Sequence, residues 1–146
     1  MCPAKSHKEY RQNQVSTSSQ GKLILMMYEG AIKFANMALI SLDQNDIAKK
    51  CLYLRKTQDI INELSLALNL EKGGEVAHRL ESLYQFMLRE LTQANIRSER
   101  KTIESVLKVL IPLKEAWDQL MNPDNGNGNE NSHKPNGKNV KFTSRC

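Results

Sequence analysis

Residues 73–95 read GGEVAHRLESLYQFMLRELTQAN and carry the clearest helical pattern in this 146-residue sequence. After the two glycines, apolar residues recur at steps of four, three, four and four, at Val76, Leu80, Leu83, Met87 and Leu91. Steps of three and four return to one side of an α-helix, because the helix has 3.6 residues per turn. A helix of about 30 Å cannot bury such a stripe alone. The pattern therefore predicts an amphipathic helix that packs against other helices of similar length.

Three further segments, at residues 17–42, 47–70 and 99–121, repeat the helical spacing. The connections between the segments are short and polar, as between antiparallel neighbours, and no strand pattern competes. The sequence therefore predicts an all-α fold, an antiparallel up-down-up-down four-helix bundle. The core residues expected outside the third helix are Ile24, Met27, Tyr28, Ala31, Phe34, Ala35, Ala38, Ile47, Cys51, Leu54, Ile61, Leu68, Ile103, Val106, Leu107, Leu110, Leu113, Trp117 and Leu120.

Glycine and proline mark two local features of the predicted bundle. Gly73 and Gly74 are predicted to lie in the turn before the third helix, because glycine readily adopts the positive φ found at helix C-termini. Pro112 falls inside the fourth helix. Since proline lacks a backbone N–H, it is expected to kink that helix.

The two ends of the chain differ in composition from the predicted bundle at residues 17–121. Residues 1–16 are polar apart from Tyr10 and Val15 and are predicted to form a mobile N-terminal arm. Residues 122–146 are rich in Asn and Gly and contain few apolar side chains. Such a segment cannot bury enough surface to offset the entropy of ordering it. We therefore expect a disordered C-terminal tail.

Composition argues against several classes of partner. The formal net charge is +5, but the basic residues are dispersed, so nucleic acid is not an expected partner. Three cysteines, two of them at the chain ends, form no disulfide framework and lack metal-site spacing. The longest apolar run, residues 23–28, is far shorter than the ~20 residues that span a bilayer. We expect a cytoplasmic protein without membrane insertion, metal or cofactor.

No motif in the sequence predicts an enzyme. Phosphate-binding glycine loops, haem and di-iron motifs and the Gly-x-Ser-x-Gly nucleophile motif are all missing. His78 is the one histidine on a predicted helix, roughly opposite the apolar stripe. An exposed histidine on a four-helix bundle is typical of phosphotransfer domains, but these usually place Lys and Gly after it, where this chain has Arg79 and Leu80. A solvated surface histidine is favoured, and phosphotransfer through His78 is the alternative.

The second and fourth helices are apolar over more of their circumference than the ~100° that one packing face needs. A contiguous exposed apolar surface usually marks an interaction site. This additional apolar surface indicates either a groove for a partner or a bundle that self-associates. The free protein is expected to be a monomer or a weak dimer. Tyr10 and Val15 on the polar arm suit a displaceable cover over such a groove.

Short motifs along residues 10–121 resemble those of one known family. They read YRQNQVST at 10–17, LILMMYEGAI at 23–32, EKGGEVA at 71–77, LYQFM at 83–87 and PLKEAW at 112–117, with Leu91, Ala94 and Asn95 between the last two. On these residues the chain resembles the flagellin-specific export chaperones of bacterial flagella, the FliS family.

The resemblance implies a cytoplasmic chaperone that binds the C-terminal segment of flagellin one to one and prevents premature polymerisation. The complex would then dock on the flagellar export gate at the membrane, with the arm around Tyr10 as a mobile cover or docking element. The bound segment would fold mostly as helices in apolar grooves. Together with the apolar flanks, this leads us to expect groove residues Tyr53, Ile60, Leu64 and Ala67 on the second helix and Val109, Leu113, Ala116 and Leu120 on the fourth.

Overall fold

The computed structural model describes the backbone of residues 2–123 and the side chains from residue 19 onward. It contains four α-helices and, in this part of the chain, no strand, which confirms the predicted all-α fold. The predictions for the Tyr10 and Val15 side chains and for the tail after residue 123 lie outside the described residues. The helices are α1 (Cys2–Asp43), α2 (Ile47–Leu66), α3 (Leu70–Arg97) and α4 (Arg100–Met121).

Three helix boundaries differ from the predicted ones. Helix α1 starts at Cys2 rather than at residue 17, so the backbone of the predicted arm continues the helix. Helix α2 ends four residues early, at Leu66, and α3 begins at Leu70, before the glycine pair. Asn69 explains the early start, because its side-chain oxygen accepts the backbone N–H of Lys72 at 2.9 Å and caps the helix.

The chain divides into two compact units, which we describe separately. The larger unit, Met27–Glu115, contains α2, α3 and the adjoining parts of α1 and α4. Polar contacts in it join Lys50 near the start of α2 to Asn95 near the end of α3, and Ser65 near the end of α2 to Glu81 of α3. Helices α2 and α3 are therefore antiparallel.

The core of this larger unit is built from one face of each helix. Alanines fill much of the α1 face, and a short side chain lets the neighbouring helices come close. The fully or almost fully buried apolar residues are Tyr28, Ala31, Ala35, Ala38, Leu39, Leu54, Ile61, Leu64, Ala77, Tyr84, Met87, Leu91, Ala94, Ile103, Val106, Leu107 and Leu110.

Three residues predicted to lie in the core are exposed instead. Val76 is 67% exposed, because its neighbour Ala77 lies on the buried face of α3 instead. A pattern based on large apolar side chains does not include that alanine. Ile47 is the first residue of α2 and is 50% exposed. Leu120, at the end of α4, is 69% exposed. Residues at the ends of a helix have fewer neighbours than residues in its middle. Helical spacing therefore does not ensure that an apolar residue at a helix end is buried.

Gly74 interrupts α3 with a backbone conformation of φ 61° and ψ −142°. This lies close to a region that essentially only glycine adopts, because a Cβ clashes there. The glycine pair was predicted as a turn; the structure places a capped helical turn before it and a sharp break at Gly74. Helix α4, by contrast, runs from Arg100 to Met121 through Pro112.

We expect Gly74→Ala to lower the free energy of unfolding by about 1–3 kcal/mol, since alanine is strained in that conformation. Urea unfolding followed by circular dichroism measures the change. Lys72→Ala, two residues away on an exposed site, serves as the control and should change stability by less than about 0.5 kcal/mol. A Gly74→Ala variant as stable as the parent would show that the break at residue 74 is not required.

Lys50 is a buried cation that the sequence analysis did not anticipate. It is only 1% exposed, and its Nζ donates to the carbonyl oxygen of Asn95 at 3.1 Å and to Oγ of Ser98 at 2.7 Å. Ser98 ends α3 in the left-handed conformation. The ammonium group therefore satisfies acceptors at the negative end of the α3 dipole. Beside it, the half-buried thiol of Cys51 donates to Oδ1 of Asn95 at 3.1 Å.

Tyr28 of α1 and Tyr84 of α3 are hydrogen-bonded to each other in the core. Both are 2% exposed, and their hydroxyl oxygens are 2.5 Å apart. Burial raises the pKa of both phenols, because ionisation would place a charge in the apolar interior. At the end of α1, Asp43 accepts two hydrogen bonds from Nη1 of Arg100, which ties α1 to the start of α4.

We expect stability to fall as the pH rises above about 10, the ordinary pKa of tyrosine. In that range the unfolded chain loses phenol protons that the folded protein keeps, so the unfolded state is favoured. Below pH 10 the Tyr28 and Tyr84 phenols are protonated in both the folded and the unfolded state, so this pair adds no pH dependence to the stability. Urea midpoints at pH 9 and pH 11 should differ more for the parent than for the double variant Tyr28→Phe/Tyr84→Phe. An equal fall in both proteins would contradict the prediction.

Residues Ser19–Asp43 of α1 are long and apolar enough, by length and composition alone, to cross a membrane. The sequence analysis considered only the uninterrupted apolar run at residues 23–28. A longer segment can still have a high mean hydropathy when it contains alanine, glycine and isolated polar residues. The core helix of a bundle passes the same test, but only 28% of the most apolar stretch of this segment is buried. Tyr28, Ala31 and Ala35 are among its buried residues, and Tyr28 contacts Tyr84 of α3.

Candidate functional site

The eight predicted groove residues differ widely in exposure. Leu64 is 2% exposed and belongs to the core of the free protein. Tyr53, Ile60, Val109 and Leu113 are half-buried, so each presents part of its side chain to solvent. The exposed members are Ala67, which directly follows the last residue of α2, Ala116 and Leu120.

Tyr53 and Ile60 both lie on the side of α2 that contacts α1. The rings of Tyr53 and Phe34 stack with centroids 6.0 Å apart and planes 19° apart. Ile60 packs over Gly30, with its Cδ1 3.3 Å from where a Cβ on that glycine would be. Lys56 completes the surface: its Nζ lies 5.5 Å from the centroid of the Phe34 ring. We call this surface, formed by Gly30, Phe34, Tyr53, Lys56 and Ile60, the α1–α2 face.

The α1–α2 face contains residues that the sequence analysis placed elsewhere. Phe34 was predicted to lie in the core, yet it is half-buried and shares the surface with Tyr53. Lys56 was given no role. The available signal was the spacing of Tyr53, Lys56 and Ile60, three and four residues apart and so on one side of a helix. Which neighbouring helix that side meets is not contained in the spacing.

Members on α4 within the larger unit form a second candidate surface. Val109 and Leu113 lie four residues apart on one flank of the helix, and both are half-buried. Exposed Pro112 also lies on this flank. We call the surface formed by Val109, Pro112 and Leu113 the α4 surface. Ala116 and Leu120 belong to the smaller unit and are exposed there.

The contacts described for the α2 members Tyr53 and Ile60 are to α1, through Phe34 and Gly30. The predicted groove is therefore treated as two candidate surfaces, the α1–α2 face and the α4 surface.

In the smaller unit, the end of α4 is held against α1. Nε1 of Trp117 donates to the carbonyl oxygen of Gly21 at 2.9 Å. A Cβ at Gly21 would overlap the Met121 side chain, so the absence of a side chain permits this close approach. The half-buried Trp117 thus packs as part of the fold, and the exposed Leu120 three residues on is left for other contacts.

Among the described residues, no group of three or more His, Cys, Asp and Glu side chains is arranged to hold a metal ion. His78 is exposed on α3. Its neighbour Arg79 is paired with Glu75, at 3.1 Å between Nη2 and Oε2. The side chains that the two candidate surfaces present to solvent are mainly apolar and aromatic.

Comparison with known proteins identifies the family of this chain. The chain matches the family model described as flagellar protein FliS over residues 3–124. It is 37% identical over 117 residues to a flagellar secretion chaperone FliS of Campylobacter jejuni, covering 80% of this chain and 91% of that protein. A flagellar secretion chaperone FliS of Salmonella typhimurium is 38% identical over 125 residues, covering 82% and 93%.

A solved structure described as a flagellar chaperone from bacteria shares the fold. The TM-score is 0.69 at 23% identity, with 82% of this chain and 97% of that chain covered. The sequence matches define a flagellar secretion chaperone, and the solved structure shares its four-helix fold. The chain belongs to the FliS family of flagellar proteins.

Proposed function

We propose that this protein binds the C-terminal segment of flagellin in the cytoplasm, prevents its premature polymerisation and delivers it to the flagellar export apparatus at the membrane. The stacked, half-exposed Phe34–Tyr53 pair of the α1–α2 face is the observation that carries this proposal. Aromatic side chains that present part of their surface to solvent are typical anchors for a helix that lies in a groove.

The α4 surface is proposed as a second contact for the same cargo. Its half-buried Val109 and Leu113 offer apolar area along one helix flank. A cargo segment that is unfolded when free must be ordered on binding, and this lowers the affinity per unit of buried area. Such a loss suits a cargo that has to be released for export. The arm around Tyr10 is proposed to cover a groove or to dock on the export apparatus.

Titration calorimetry with a peptide from the last ~40 residues of flagellin of the same organism tests the proposal. We expect a one-to-one complex, a negative heat-capacity change from apolar burial, and a gain of helix by circular dichroism. Light scattering of the free protein across a concentration series identifies any self-association that competes for the same surfaces. If the protein is folded but binding gives no heat and no gain of helix, the proposal is overturned. Self-association and phosphotransfer through His78 would then be the leading alternatives.

A further inference from the structure

Three lysines lie near the Phe34–Tyr53 pair of the α1–α2 face. Lys56 lies over the Phe34 ring, with its Nζ 5.5 Å from the ring centroid. Lys49 precedes Lys56 by seven residues, two helical turns, and so lies on the same side of α2. Lys33 is next to Phe34 on α1 and three residues after Gly30. All three side chains are exposed, so the aromatic pair has a basic border on both helices.

These lysines have no acidic partner in the described part of the chain. The ion pairs found there join Arg79 to Glu75 and Arg100 to Asp43 and Glu104. Glu29, Asp46 and Asp59 lie within one helical turn of Lys33, Lys49 and Lys56 in sequence, but none of these carboxylates is within ion-pair distance of the lysines. At the aromatic pair itself, the charged side chain in contact is Lys56.

Exposed apolar residues extend the same region. Ile40 follows Lys33 by seven residues on α1 and is 54% exposed. Leu52 lies between Lys49 and Lys56 on α2 and is 44% exposed. Aromatic and aliphatic surface bordered by unpaired cations is complementary to a helix that has an apolar stripe flanked by carboxylates.

We propose that the α1–α2 face binds an acidic amphipathic helical segment of the cargo, an inference that rests on the proposed function. The apolar stripe of that segment covers the Phe34–Tyr53 pair, and its Asp or Glu side chains pair with Lys33, Lys49 and Lys56. Lys56 exchanges its contact with the Phe34 ring for a carboxylate partner. Charges at the border of an interface act mainly on the association rate and on the salt dependence of binding.

The test compares two triple variants with the parent by calorimetry against the flagellin peptide of the last ~40 residues, at 50 and 500 mM salt. One variant is Lys33→Gln/Lys49→Gln/Lys56→Gln. The control, Lys72→Gln/Lys101→Gln/Lys108→Gln, removes the same charge at exposed positions of α3 and α4. We expect the first variant to lose about tenfold in affinity at 50 mM salt and most of its salt dependence, and the control to lose about twofold or less.

Zero-length carbodiimide cross-linking of the complex provides an independent measurement, because it joins a lysine Nζ to a carboxylate in contact with it. Cross-links from cargo carboxylates to Lys33, Lys49 or Lys56 are expected. Equal loss of affinity in both triple variants, or cross-links only to Lys72, Lys101 and Lys108, would overturn this inference and leave flagellin binding intact. A parent protein that does not bind the peptide at all would overturn the proposed function and this inference together.

Discussion

Replacing Leu91 by alanine is expected to lower the free energy of unfolding by about 2–5 kcal/mol. Leu91 is 0% exposed on the buried face of α3, together with Met87 and Ala94. Truncation removes the apolar atoms from the core and leaves a cavity that the surrounding helices fill only in part. A small domain has a total stability of about 5–15 kcal/mol, so this change alone shifts the urea midpoint strongly. Circular dichroism during urea unfolding measures the loss.

Ile96 on the same helix provides the matched control. It is 70% exposed, so Ile96→Ala removes a similar number of atoms without opening a cavity and should change stability by less than about 0.5 kcal/mol. Similar losses in the two variants would mean that α3 is packed with a different face toward the core.

Replacing Tyr53 by alanine is expected to weaken binding of the flagellin peptide by about 2 kcal/mol or more, roughly 30-fold. Tyr53 is half-buried and stacked on Phe34, so it offers a rigid ring that loses little freedom on binding. Tyrosine is among the residues most often found at binding hot spots. Tyr53→Phe keeps the ring and should bind nearly as well as the parent. Titration calorimetry measures both affinities.

A change at Tyr53 also removes a contact within the protein, so stability must be measured beside affinity. Val76→Ala is the control for binding, because Val76 is apolar and 67% exposed but lies on α3, away from both candidate surfaces. Leu64→Ala is expected to destabilise the protein instead, since Leu64 is 2% exposed. Equal affinities for Tyr53→Ala and Val76→Ala, with both proteins folded, would remove the α1–α2 face from the binding site.

The helices could be predicted because their signals are local. Apolar residues three and four apart identify a buried face wherever the chain forms a helix. The buried residues Tyr28, Leu54, Met87 and Leu110 all followed from that rule. Family membership also followed from short motifs in order along the chain. Helix ends were less predictable, because an Asn at position 69 that could serve as a cap looks the same in sequence as an Asn in a loop.

Other features depended on which helices meet, and spacing within one helix does not contain that information. Lys50 was unremarkable in sequence, since lysine is almost always exposed; its burial required the end of α3 to supply two oxygen acceptors. Likewise, the flank of α2 with Tyr53 is part of a candidate surface because Phe34 of α1 lies beside it. Periodicity was sufficient for the helices and the core face of each, because those are properties of a single helix. The paired tyrosines, the buried lysine and the stacked Phe34–Tyr53 pair arise from contacts between residues distant in sequence, and only the folded chain brings those residues together.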